Sequence, residues 1–332
     1  MTRSSAPAGR SVPTSPGPVH AVVGAPGPAP ARDAAQGTAP TRATAPWRRY
    51  VALGDSFTEG LWDLPDGGTP GEVAPQACRG WADLLALHLA TQSAPAGNAA
   101  TARDAVGTPL EYANLAIRGR LLGPILAEQV PAALAMAPDL VSLVGGGNDM
   151  LRPTADPDAM AVRLEDAVVR LRAAGADVLL GTGVDAKDSP LVSRTRGRVA
   201  VYNTHIWSIA RRQGAHVVDL WGMRSLRDWR MWAPDRIHLT SEGHRRVAQG
   251  ALAALGLEPD DPRWDDPLTP LPASPRLARM REDAQWLREH VYPWATRRLR
   301  GRSSGDERRP KRPHPAPVQE DRAPAPEQQR DA

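Results

Sequence analysis

Four short stretches of this sequence carry residue types that can act on an acyl group. GDS at 54–56 offers a serine hydroxyl, Ser56, directly after the apolar run YVAL at 50–53. NLAIRG at 114–119 offers the permissive backbone of Gly119, with Arg118 beside it. VGGGND at 144–149 offers the side-chain amide of Asn148, and APDRIHLTSEG at 233–243 holds Asp235 and His238 three positions apart. A serine hydroxyl is a poor nucleophile until an imidazole takes its proton, and the imidazole needs an acid behind it to fix its tautomer and stabilise its cation. The spacing of Asp235 and His238 lets both side chains project from one turn. The backbone amides of Ser56 and Gly119 and the side chain of Asn148 are then candidate donors to a tetrahedral oxyanion. Glycine at 119 and at 145–147 also lets the backbone approach a substrate or take positive φ.

Each residue has a plainer reading when taken alone. A serine at such a turn can be a nucleophile, a phosphate contact or only a helix cap. A lone histidine is more often a surface or capping residue, and GGGN is an ordinary turn. The glycines at 145–147 are followed by no GK[ST] and form no GxGxxG, so they do not make a phosphate loop. Asp55, adjacent to Ser56, should point away from it and hydrogen-bond within the turn, and His244 reads as structural.

These residues act together only if the fold brings them to one edge. Strand-like segments at 50–53, 111–116, 139–144, 177–180 and 216–220 alternate with helix-like ones at 79–90, 121–136, 158–174, 193–213 and 241–255. Met160, Leu164, Val168 and Leu171 keep helical register, and Thr240 or Ser241 caps the last helix. The pattern predicts an α/β fold, a three-layer flavodoxin-like sandwich whose five-stranded parallel sheet carries helices on both faces. In such a sheet the C-terminal ends of all strands share an edge, so Ser56, Gly119, Asn148 and the 235–238 pair should converge.

Composition sets the boundaries. The chain has 332 residues, 41% of them hydrophobic, enough for one sizeable core. Residues 1–46, rich in Pro and Ala, and 301–332, basic and Pro-rich, read as disordered, with 47–258 as the catalytic domain and 259–300 as a helical appendage. Residues 1–50 carry six Arg against one Asp and 294–332 carry ten Lys or Arg against six acids, which leaves −5 for the body between them. The positive charge therefore belongs to the ends. RRPKRPH at 308–314 reads as a solvated tail, and no nucleic-acid partner is expected. A single cysteine, Cys78, excludes an internal disulfide and a cysteine-based metal site. No apolar stretch has transmembrane length or the form of a signal peptide, so the cytoplasm is the expected compartment.

GDS at 54–56, the Asn114 and Gly119 pair, GGND at 146–149 and DxxH at 235–238 together resemble the four blocks of the SGNH hydrolases, also called GDSL esterases and lipases. The resemblance runs over about 47–255, in the family's order and spacing. It implies that Ser56 is the nucleophile, that Asp235 and His238 complete the triad, and that Ser56, Gly119 and Asn148 form the oxyanion hole, with no metal or organic cofactor. Phe57 stands where the family has leucine, and Arg118 stands where a small residue is common, which bears on the pocket's shape. The implied activity is hydrolysis of a small-molecule ester. Acyl transfer to an alcohol or sugar, and a binding protein without turnover, are the alternatives. Trp229 and Trp232 precede the acid and read equally as pocket walls or core. The connection 61–80 reads as a substrate wall or lid, and 275–298 as an amphipathic helix packing on the domain. A single Phe and the absence of an apolar flap favour short acyl chains over long ones.

Overall fold

The alternation of side chains along one strand sets the layers. In β1 (Arg49–Gly54) Tyr50 and Ala52 join the core on one face of the sheet, Val51 and Leu53 join the core on the other, and all four are fully buried. A strand of this kind has to be covered on both sides. The computed structural model describes residues 45–64, 77–92, 109–187, 189, 192–272, 275–293, 296 and 303–318, all within Arg42–Ala332, the larger of the two units into which the chain divides. The expectations for 1–44, 319–332 and most of the 61–80 connection lie outside these residues.

After β1 the chain forms α1 (Ser56–Glu59), α2 (Trp81–Gln92) and β2 (Glu111–Asn114). A helical stretch then runs from α3 (Leu122–Pro124) through a π turn (Ile125–Gln129) into α4 (Val130–Ala135). β3 (Leu140–Val144), α5 (Gly147–Met150), α6 (Pro157–Ala173) and β4 (Asp177–Gly181) follow. The remainder comprises α7 (Arg196–Gln213), β5 (His216–Val218), α8 (Ser241–Ala254), α9 (Arg276–Trp286) and β6 (Arg312–Pro317).

The strands lie in the order β5-β4-β3-β1-β2-β6, and the first five are parallel. On one face Trp81, Leu85 and Leu89 of α2 and Val247, Ala251 and Leu252 of α8 pack over Tyr50 and Tyr112, whose rings stack at 5.1 Å. On the other, Met160, Leu164, Val168 and Leu171 of α6 cover Val141, Leu143 and Val178, in the register that their spacing predicts. Asp156 caps α6 by accepting from the Asp158 and Ala159 amides, and Thr240 caps α8.

Two expectations are corrected here. The sheet has six strands, not five, and the sixth lies in a segment that reads as unstructured. β6 runs antiparallel to β2, pairing Tyr112 with Ala316 and Asn114 with Arg312. It has no apolar face to betray it, and its prolines are tolerated because it is an edge strand. It is held by the β2 backbone and by Lys311, which is buried instead of solvated. The second correction concerns α9. Of the apolar residues expected to pack on the domain, Trp286 is buried, while Met280 and, just beyond the helix, Leu287 are exposed.

Under α2 lies His244, fully buried, whose Nδ1 accepts from the Trp81 amide at 3.2 Å and whose Nε2 faces the Leu61 carbonyl. Burial pushes its imidazole down from 6.5 to about 4, against a smaller opposing pull from Asp63. Between those values the unfolded chain binds a proton that the folded chain refuses, so this residue's contribution to stability falls as pH drops from 6.5 towards 4. Denaturant midpoints at pH 7 and pH 5 should therefore fall more for the wild type than for His244→Gln. Equal falls would contradict a neutral buried imidazole.

Candidate active site

Ser56 opens α1, and the residue before it builds the turn. Asp55 accepts from the Phe57 amide at 3.1 Å through one oxygen and from Asn148 Nδ2 at 3.1 Å through the other, the hydrogen-bonding role expected of it. Burial pushes its carboxyl up to about 6. With Asp55 turned into the helix start, Ser56 Oγ lies 2.8 Å from His238 Nε2, and His238 Nδ1 lies 2.6 Å from Asp235 Oδ2. A ring nitrogen facing a carboxylate carries the proton, which leaves the Nε2 lone pair for the Ser56 O–H.

The acid and base share one turn, as their spacing predicts. Asp235 Oδ1 accepts the amides of Ile237 and His238 at 3.0 Å each, and the Ala233 amide closes on the His238 carbonyl at 2.8 Å. Arg236, between them, takes a φ of 57°. Burial alone would raise the Asp235 carboxyl, but His238 and these hydrogen bonds hold it well below the usual carboxylate range.

Two indoles that sequence reasoning did not connect with Asp235 also hold this acid. Trp62 Nε1 donates to Asp235 Oδ2 at 2.7 Å, and Trp286 Nε1 of α9 donates to the Asp235 carbonyl at 2.8 Å. The Arg236 guanidinium lies over the rings of Trp229 and Trp286, at 5.9 and 5.2 Å, and pairs with Asp283. The appendage expected at 259–300 thus grips the acid–base turn from outside.

Gly119 sits in the turn after β2 at a φ of 74°, a conformation that favours glycine. The side chain of Arg118 turns inward instead of into the pocket, a correction to its expected place. It is 4% exposed and pairs with Glu59, whose carboxylate also accepts the Arg118 amide at 2.7 Å. The reason lies in Glu59, which is 2% exposed at the end of α1 and needs a cation beside it. Asn148, in α5 after β3, donates from Nδ2 to the Arg120 carbonyl at 3.1 Å as well as to Asp55, so both amide protons have acceptors.

Ser56, Gly119, Asn148 and His238 line one cavity of about 330 Å³, together with Phe57, Trp229 and Trp232. Its apolar wall includes Val184, Val192, Val199, Leu220 and Leu226. Part of that wall follows β4, whose C-terminal end shares the edge but carries no motif; the rule of strand ends would have found it. Ser303 and Ser304 line the same cavity. Among the described residues no cluster of three or more His, Cys, Asp or Glu could hold a metal ion, and no helix is long and apolar enough to cross a membrane.

Residues 52–246 match the GDSL-like Lipase/Acylhydrolase family. Among solved structures the chain is similar to TesA, at 23% identity over 62% of this chain and 97% of that one, with a TM-score of 0.46. It is similar to LAE5, an alpha/beta hydrolase enzyme from the metagenome of Lake Arreo, Spain, at 24% identity over 64% and 96%, with a TM-score of 0.49. A third is Axe2, an acetylxylan esterase from Geobacillus stearothermophilus, at 19% identity over 67% and 100%, with a TM-score of 0.49. No curated protein matches it.

Trp62→Phe keeps the ring and removes one donor to Asp235 Oδ2. Ester hydrolysis by this variant should lose roughly tenfold in kcat with KM within about twofold, the equivalent of one hydrogen bond to a charged group at about 1.5 kcal/mol. Steady-state kinetics on p-nitrophenyl acetate check this, and a wild-type kcat would reduce Trp62 to a packing role.

Proposed function

The chain belongs to the GDSL-like lipase/acylhydrolase family, and from that premise we propose that it hydrolyses small carboxylic esters through an acyl-enzyme on Ser56. Ser56 Oγ attacks the ester carbonyl carbon while His238 Nε2 takes the hydroxyl proton, and the carbonyl π pair moves onto oxygen. The amides of Ser56 and Gly119 and the Asn148 Nδ2 receive that oxyanion. The Asn148 protons already point at Asp55 and Arg120, so its amide plane is fixed before substrate arrives and the oxyanion shares one of them. Collapse of the intermediate breaks the bond to the alcohol oxygen, which leaves with the proton from His238. Water then attacks the acyl-enzyme with His238 as base, and the acid and free Ser56 are regenerated. Asp235 stays ionised throughout and stabilises the imidazolium.

The observation that carries this reading is the continuous chain from Ser56 Oγ through His238 to Asp235, at 2.8 and 2.6 Å, opening on the cavity that Gly119 and Asn148 also line. Ser56→Ala should abolish both fluorophosphonate labelling and ester turnover, and Asn148→Ala should lower kcat about a hundredfold or more with little change in KM. Label that persists on another serine would overturn the assignment of the nucleophile.

The acyl group we infer is short. The cavity's 330 Å³ or so has to hold both halves of the ester, and its largely apolar lining, Val184, Val199 and Leu226 among it, is interrupted by the charged residues Arg152, Asp185, Arg196 and Arg227. On p-nitrophenyl esters kcat/KM should peak between acetate and butyrate and fall by at least about tenfold at ten or more carbons, about 1.4 kcal/mol of transition-state binding. A steady rise with chain length would refute it.

A further inference from the structure

The segment 303–318 lies outside the residues that match the family, yet it reaches both the cavity and the loop that carries Gly119. Ser303 to Asp306 is a closed turn: the Ser303 amide donates to Asp306 Oδ2 at 2.7 Å, and the Gly305 amide donates to Ser303 Oγ at 3.2 Å. That turn rests directly on the loop after β2. A Cβ on Gly119 would come within 2.2 Å of Ser303 Oγ, and a Cβ on Gly305 would come within 1.9 Å of the Arg118 carbonyl oxygen. At Gly305 backbone faces backbone, and at Gly119 only the Ser303 and Ser304 hydroxyls lie between them. Ser303 Oγ occupies the space beside the Gly119 Cα that any other residue would fill with its own Cβ.

The turn is anchored a few residues further on. Lys311 Nζ, with its side chain 2% exposed, lies 2.6 Å from the Glu59 carbonyl, 2.8 Å from that of Cys78, 2.6 Å from that of Arg79 and 2.5 Å from Asp83 Oδ2. An ammonium so deeply buried is tolerated only because every proton meets an acceptor. One of its partners, Glu59, ties it to the site. Glu59 ends the helix that Ser56 begins, and its carboxylate binds Arg118, the residue before Gly119. The serine helix, the Gly119 loop and the C-terminal segment therefore meet at Glu59.

We propose that residues 303–318 complete the oxyanion side of the site, with Ser303 and Gly305 as positioning residues that fix the Gly119 amide from outside while the Glu59–Arg118 pair fixes it from within. The inference rests on the reading of Gly119 N–H as an oxyanion donor. A donor that is free to move stabilises the transition state less and leaves ground-state binding nearly unchanged, so displacing this turn should lower kcat and spare KM.

The test uses the full-length chain. Gly305→Ala places a methyl against the Arg118 carbonyl, and Ser303→Ala removes the hydroxyl beside Gly119 without adding bulk. We expect kcat on p-nitrophenyl acetate to fall at least about tenfold in the first and about threefold in the second, with KM within about twofold of wild type in both. Ser303→Ala should melt like the wild type, so its loss cannot be ascribed to unfolding. A wild-type kcat in Ser303→Ala, or a loss confined to KM, overturns the inference. Ser56→Ala and Asn148→Ala measured in parallel separate the two possible failures. If they lose kcat and the turn variants do not, the strap has no part in positioning; if none of the four loses it, the reading of the site has failed as well.

Discussion

A carboxylate with almost no water around it organises this molecule. Glu59 is buried at the end of the four-residue helix α1, and a lone ionised acid there would be prohibitively costly. It is satisfied by the Arg118 side chain and by the Arg118 backbone amide together. The pairing is bidentate and directional, so it fixes the path of the backbone as well as neutralising charge. Removing either partner would strand the other, at a typical cost of about 3–5 kcal/mol. The consequence is geometric. The loop after β2 cannot drift relative to the helix after β1 without breaking the pair.

The sheet supplies the rest of the convergence. β1 lies between β2 and β3, so the chain leaves the middle strand at Ser56 with Gly119 on one flank and Asn148 on the other. Ligand crevices form where strand order reverses in this way, because the connections on the two sides diverge to opposite faces and leave a gap between them. Two backbone donors and a side-chain amide then come from three different strand ends, each short and each tied down. His238 arrives separately, on a turn whose own hydrogen bonds set the angle between it and Asp235.

Legibility in the sequence followed the range of the interactions. Ser56, Asn148, Asp235 and His238 could be read because they sit within a few residues of a strand end or of each other, and strand ends are predictable from apolar runs. The helices of both layers could be read for the same reason, as α6 illustrates, with Met160, Leu164, Val168 and Leu171 recurring at helical spacing on its buried side. What could not be read depends on partners between 51 and 252 positions away and on no period. Trp62 and Trp286 reach the same residue, Asp235, from opposite sides of it in sequence, and nothing in LWDL or AQWL marks an indole as a donor. Arg118 is expected at the pocket from its neighbours in the sequence, but the direction of its side chain is decided by Glu59, which has no motif. Lys311 is the clearest case. A lysine in a run of Arg and Pro reads as solvated, and only three carbonyls and a carboxylate from elsewhere in the chain make it a buried residue.

The last strand has a consequence for life in a crowded solution. An open β2 would expose a row of unpaired backbone donors and acceptors, a template on which a second chain could add. β6 occupies that row, and Val318 donates inward to the Leu110 carbonyl at 2.9 Å just beyond it. Pro313, Pro315 and Pro317 have no N–H to offer on the far side. The sheet therefore ends in a strand that can accept few further neighbours, while β5 at the opposite edge is only three residues long. A segment poor in apolar residues thus gives the molecule resistance to edge-to-edge aggregation that its core cannot supply.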